Sequence, residues 1–164
     1  MKRIAISIAA LALAACSPSD NETAQSGDDW ATAQATAASL YDAFAAGNMD
    51  RIAALLGDDV QWVEAEGGPY EAGNPYVGVE GVGAGVFGPI GESYEGFAAT
   101  PERYTTEGNR VVVEGRYTGT HRETGETLDA QFVHVYTIDG ETIEAMQQYT
   151  DTYQWRAVEG SLGN

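Results

Sequence analysis

Cysteine is nearly absent, with Cys16 the only one in 164 residues. The chain behind it can form no internal disulfide and offers no thiol nucleophile. Lysine occurs once, at Lys2, which excludes Schiff-base chemistry from everything downstream. Eight basic side chains face 25 acidic ones, for a net charge of −17. Nucleic-acid binding, which needs clustered cations against phosphates, is thereby excluded. The same field repels anionic substrates and favours neutral or cationic ligands. Histidine is limited to His121, in a polar turn segment, and His134, on an apolar strand; no cluster has metal-ligand spacing. Gly81-Val82-Gly83-Ala84-Gly85 lacks the lysine and the preceding strand of a phosphate loop, and no nucleophile elbow exists for Ser-His-Asp chemistry. The expectation is a site with no metal and no cofactor.

What is present begins at the first residue. Lys2 and Arg3 precede an apolar run from Ile4 to Ala14, too short to span a bilayer, that ends in Leu13-Ala14-Ala15-Cys16. Small residues before a cysteine suit a peptidase that takes the chain in extended form. The stretch resembles the lipobox of bacterial lipoproteins. That resemblance implies a signal peptide over residues 1–16, a lipid on Cys16, and a periplasm-facing protein anchored to the lipid bilayer of the envelope. Ser17 after the cysteine favours the outer membrane. Residues 17–29 are polar and aperiodic, and read as a flexible tether. Residues 30–156 are expected to form one domain, with 157–164 as a tail; that length suffices for a real core.

Within the domain, Trp30, Ala33, Ala37, Leu40, Tyr41 and Phe44 recur at helical spacing up to the Gly47-Asn48 stop. Residues 49–56 make a second short helix. Residues 60–64 read as a strand with Val60, Trp62 and Glu64 on one face. Residues 65–78, rich in Gly, Pro and Tyr, read as turns, and residues 79–90 as a glycine-weakened helix carrying Val82, Val86 and Phe87. Strands follow over 94–106, 110–120, 127–138 and 142–155, with a hairpin turn at Asp139-Gly140. On the third of these, Leu128, Phe132, His134, Tyr136 and Ile138 share a face. On the fourth, Ile143, Ala145, Tyr149, Asp151, Tyr153 and Trp155 do. Helices followed by antiparallel strands give the α+β class. A mostly antiparallel sheet, curved around the N-terminal helices, would form a cone-shaped barrel with a pocket inside.

Three segments carry a family resemblance. Tyr41-Asp42-Ala43-Phe44-Ala45-Ala46-Gly47-Asn48-Met49-Asp50 is followed by Leu55-Leu56-Gly57-Asp58-Asp59-Val60. Pro75-Tyr76-Val77-Gly78 is the second. Asp139-Gly140-Glu141-Thr142-Ile143, leading to Gln148-Tyr149-Thr150-Asp151, is the third. Together they resemble the SnoaL-like branch of the nuclear-transport-factor-2-like superfamily, across about residues 30–155. The resemblance implies the cone fold, a frequent homodimer, and functions ranging from ketosteroid isomerases and polyketide cyclases to proteins that only bind. Fold alone does not choose among them.

Polar residues on apolar faces are the candidates, because burying them costs free energy unless they are paired or used. Glu64 matches by position the general base of ketosteroid isomerase; the alternative is a strand-end carboxylate in solvent. His134 falls near the donor of that enzyme's oxyanion hole; the alternative is a core histidine bonded to its neighbours. Asp151 matches the acid/base of polyketide cyclases, or else accepts hydrogen bonds from neighbouring tyrosines. The isomerase's helix-one tyrosine falls on Leu40, and Tyr41, one residue and about 100° away on a helix, is not expected to replace it. Trp62, Tyr76, Phe87, Phe132 and Tyr149 are expected to line the pocket. Two functions stay open: binding of a small, mostly apolar neutral or carbonyl-bearing molecule, and cofactor-free proton transfer as an isomerase, cyclase or hydrolase.

Overall fold

The computed structural model describes residues 20–162. The expected signal peptide and Cys16 lie outside the described residues. The chain forms a curved, open sheet of six strands with helices against its inward face. Helix α1 (Asp20–Ala45) starts ten residues earlier than the expected Trp30, so residues 20–29 of the expected tether are helical. The segment extends an existing helix at one hydrogen bond per residue, without the nucleation cost. From residue 27 on, the first buried position is Ala33, and Trp30 is exposed rather than packed. Gly47, at φ 64, ends the helix in the left-handed region that other residues avoid. Asn48 then caps α2 (Met49–Leu55), its side-chain oxygen accepting from the Arg51 N–H at 3.0 Å.

Strand β1 (Leu56–Val63) leads through an irregular loop with a short helical turn to β2 (Tyr76–Val77). Helix α3 (Gly78–Val82) continues through a π-type turn (Gly83–Phe87) into α4 (Gly88–Ser93). Strands β3 (Tyr94–Glu107), β4 (Arg110–His121), β5 (Thr127–Asp139) and β6 (Thr142–Thr150) follow, and α5 (Thr152–Val158) closes the chain. The sheet order is β2-β1-β6-β5-β4-β3. All neighbours pair antiparallel except β1 and β6, which run parallel. The core lies between the inward sheet face and helix α1, where Ala33, Ala37, Leu40 and Tyr41 meet Val111, Val113, Phe132 and Tyr136.

Two boundaries differ from the sequence-based expectation. Strand β6 stops at Thr150, and Asp151 becomes the cap of α5, its carboxylate accepting from the Gln154 N–H at 3.1 Å. The expected tail is also part of the fold. Val158 is buried, and Glu159 accepts hydrogen bonds from the hydroxyls of Tyr94 (3.0 Å) and Tyr70 (3.3 Å).

Candidate functional site

A cavity of about 40 Å³ lies between α1, the α3–α4 segment and the sheet. Since one ordered water needs ~10–15 Å³, it has room for roughly three waters. Its walls are mainly aromatic. Tyr41 and Phe44 enter from α1, Phe87 from the π-type turn, and Trp62, Phe97, Tyr117 and Tyr136 from the sheet. The polar groups in it are Glu64, His134, Gln148 and the three phenols.

Glu64 follows the end of β1 and is buried, 3 % exposed, rather than solvated. Its backbone is pinned by Asn74, whose side chain accepts from the Glu64 N–H and donates to the Glu64 C=O, both at 2.8 Å. The carboxylate accepts from the Trp62 indole N–H at 2.7 Å. Burial pushes its pKa up to about 7, against the opposing hydrogen bonds from Trp62 and Gln148.

His134 sits at the centre of a phenol network. Its Nδ1 lies 2.7 Å from the Tyr41 hydroxyl and 3.1 Å from that of Tyr136, and its Nε2 contacts the Tyr117 hydroxyl. Tyr136 and Tyr41 share a hydrogen bond of 3.1 Å, and the Gln148 amide donates to the Tyr117 oxygen at 2.9 Å. Burial holds the His134 pKa down at about 3, so the ring is neutral at physiological pH. It is therefore not a cationic donor near pH 7. Burial and neighbouring phenols push Tyr41 far above its ordinary range, and burial does the same to Tyr136, so both stay protonated.

A neutral imidazole has one N–H, and counting protons gives the network's output. With that proton on Nε2, it goes to the Tyr117 oxygen, and the Tyr117 proton finds no acceptor among these groups. With it on Nδ1, Tyr117 donates to Nε2, while Nδ1–H and the hydroxyls of Tyr41 and Tyr136 are three donors sharing two oxygens. Only one hydroxyl can donate to the other, so one phenol proton is again left over. Either tautomer leaves one phenol O–H beyond what the network uses, and all three phenols line the cavity.

The expected site residues thus divide. Glu64, His134, Trp62 and Phe87 meet at the cavity. Asp151 does not; it is exposed and spent on capping α5. Tyr149 is 57 % exposed and points away. Both misplacements follow from β6, where Ile138 pairs with Ile143 but Thr137 with Ala145. The extra residue, Glu144, is a bulge that shifts the inward face to Ile143, Met146 and Gln148. Phe132 is buried, but it stacks on the His134 ring at 4.3 Å rather than lining the cavity. Tyr76 is a wedge: a Cβ on Gly73 or Gly85 would lie about 2 Å from its ring, and its hydroxyl donates to the Tyr70 C=O at 2.7 Å.

Simple alternation misses Gln148, and the one-residue helical offset misjudges Tyr41. Leu40 and Tyr41 both reach the cavity, since a tyrosine on the flank of the helix swings its long side chain inward. Among the described residues no grouping of three His, Cys, Asp or Glu could hold a metal ion.

No curated protein matches this sequence. Solved structures do. An NTF2-like protein from Burkholderia thailandensis E264 is 26 % identical, with a TM-score of 0.72 over 81 % of this chain and 98 % of that one. TerC, co-crystallised with polyporic acid, is 24 % identical, with a TM-score of 0.70 over 79 % and 99 %. A protein of ketosteroid isomerase-like fold from Catenulispora acidiphila DSM 44928, in complex with trimethylamine, is 18 % identical, with a TM-score of 0.65 over 76 % and 92 %. The SnoaL-like domain family matches residues 37–146, from the buried face of α1 to the inward face of β6. With the cone architecture and more than half of the chain matched, this protein belongs to the SnoaL-like domain family.

Proposed function

We propose that this chain is an envelope lipoprotein whose SnoaL-like domain binds a compact, mostly apolar molecule with one acceptor oxygen, such as a small ketone. The observation that carries the reading is the leftover phenol proton in an otherwise aromatic cavity. A carbonyl oxygen is the partner such a donor lacks, and an apolar body fills the remaining walls. Small molecules accompany two of the similar structures, polyporic acid in TerC and trimethylamine in the Catenulispora protein, which supports a binding role. The test is titration with butanone, followed through the Trp62 indole N–H in NMR spectra. Affinity is expected to fall by about 5- to 30-fold in at least one of Tyr41→Phe, Tyr117→Phe and Tyr136→Phe, the worth of one buried hydrogen bond. Unchanged affinity in all three defeats the donor assignment.

A second reading, proton transfer, is favoured by Glu64 alone. A carboxylate buried beside the cavity with a pKa near 7 is poised as a general base at neutral pH. It would take a proton from the carbon next to the carbonyl while the phenol steadies the enolate oxygen. Exchange of the α-hydrogens of butanone in deuterated water measures this directly. The exchange should rise through about pH 7 and vanish in Glu64→Gln; a rate equal to the buffer's leaves binding as the sole function.

The anchor is proposed from Leu13-Ala14-Ala15-Cys16. Cells fed a labelled fatty acid should label the wild-type protein and not Cys16→Ala, and an unlabelled wild type rejects lipidation.

A further inference from the structure

Glu64 has one feature that the carbonyl reading leaves unused. Among the described residues its buried carboxyl group has no cationic partner. Its ionisation is governed by burial and by the N–H donors Trp62 and Gln148, with no arginine contributing. None of the ion pairs among the described residues includes it; they join Arg103, Arg116 and Arg122 to acids on exposed strand faces. The other titratable groups around it are Tyr41 from α1, Tyr70 from the loop, Tyr117 from β4, and His134 and Tyr136 from β5. All of these are neutral in the physiological range. A buried acid is ordinarily paired or ligates a cation. This one opens instead on the rings of Phe44, Trp62, Phe87 and Phe97. Aromatic walls around a single negative charge are the arrangement that recognises alkylated ammonium ions, through ring quadrupole and Coulomb attraction together.

We propose that the cavity also takes a compact alkylammonium ion, held by the Glu64 carboxylate and the aromatic rings around it. The ligand supplies the missing countercharge without needing hydrogen bonds, which suits walls with few acceptors. The net charge of −17 concentrates cations at the surface and raises the rate of their encounter. Cation binding does not depend on the carbonyl reading, and one experiment separates them.

Tetramethylammonium, whose charge is independent of pH, and butanone are titrated in parallel into the full-length protein, with the Trp62 indole N–H as reporter. With Glu64 near 7, tetramethylammonium affinity should be roughly 30-fold higher at pH about 8.5 than at pH about 5.5. Glu64→Gln should abolish that pH dependence and weaken binding at least tenfold. Phe87→Leu, which removes a ring and keeps an apolar wall, should weaken tetramethylammonium several-fold and butanone much less. Failure of tetramethylammonium to bind at the higher pH, or equal binding by Glu64→Gln, overturns the proposal while leaving the carbonyl reading to the butanone arm. Tetramethylammonium binding without butanone binding does the reverse.

Discussion

Replacing Glu64 by glutamine should stabilise the domain at pH 8 by on the order of 3 kcal/mol and change little at pH 4. The carboxyl group is expected to lose its proton near 4.5 in the unfolded chain but only near 7 in the folded one. Between those values the folded state binds more protons, so stability falls as pH rises, at ~1.4 kcal/mol per pH unit. Above about 7 the whole penalty of an ionised, nearly dry carboxylate is present. Glutamine fills the same space, its carbonyl oxygen can accept the Trp62 N–H, and it never ionises. At roughly 2–4 °C per kcal/mol for a domain of this size, the midpoint of thermal unfolding should rise by roughly 6–12 °C at pH 8. Melting curves of both proteins across pH 4 to 9 check this. A difference that does not grow with pH means that Glu64 is solvated in the folded state.

Replacing His134 by leucine should act in the opposite sense at neutral pH, lowering stability by about 2–4 kcal/mol. Leucine fits the apolar stack on Phe132 but accepts and donates nothing. Tyr117 keeps the Gln148 donor yet loses its His134 partner, and Tyr41 and Tyr136 keep only each other. Each buried group left without a partner costs roughly 1–3 kcal/mol. The pH dependence is the sharper signature. With a folded pKa of about 3 against an ordinary 6.5, the neutral His134 contributes stability that is complete above about 6.5 and lost as pH falls toward 3. Between 4.5 and 6.5 this slope opposes that of Glu64, and the two nearly cancel in the wild type. Glu64→Gln should therefore unmask a steep loss of stability below about 6.5, and the double variant Glu64→Gln/His134→Leu should be flat there. A wild type with no such hidden slope would mean that His134 is already charged when folded.

Both effects arise from groups that the sequence brings to notice for one reason: they interrupt apolar alternation. Glu64 follows Val60 and Trp62 at a period of two, and His134 lies between Phe132 and Tyr136, so the residue pattern itself gives their inward direction. The family resemblance is legible as well, and with it the helices and the sheet that frame the pocket. Asp151 and Tyr149 fail for a definite reason. Alternation carries direction only while the period holds, and the bulge at Glu144 resets it by one residue. The same bulge turns Gln148 inward. Nothing local announces it, because a bulge is defined by the partner strand. Tyr41 departs for a different reason: a 100° step moves the Cα–Cβ bond, but a phenol is long enough to reach the same cavity from the flank.

The sequence alone therefore determined the fold class, the apolar faces of the segments without a bulge, the acidity and two of the polar groups at the cavity, because these depend on composition and on periods within single segments. The tertiary structure decided what those groups are. It showed that Glu64 is buried beside an indole N–H without a countercharge, that His134 is a neutral hub for three phenols drawn from α1, β4 and β5, and that one phenol proton is left over. Protonation states follow from burial and from partners far apart in the chain. Tyr41 lies 93 residues from His134 and Glu64 lies 84 residues from Gln148, and only packing puts them in reach.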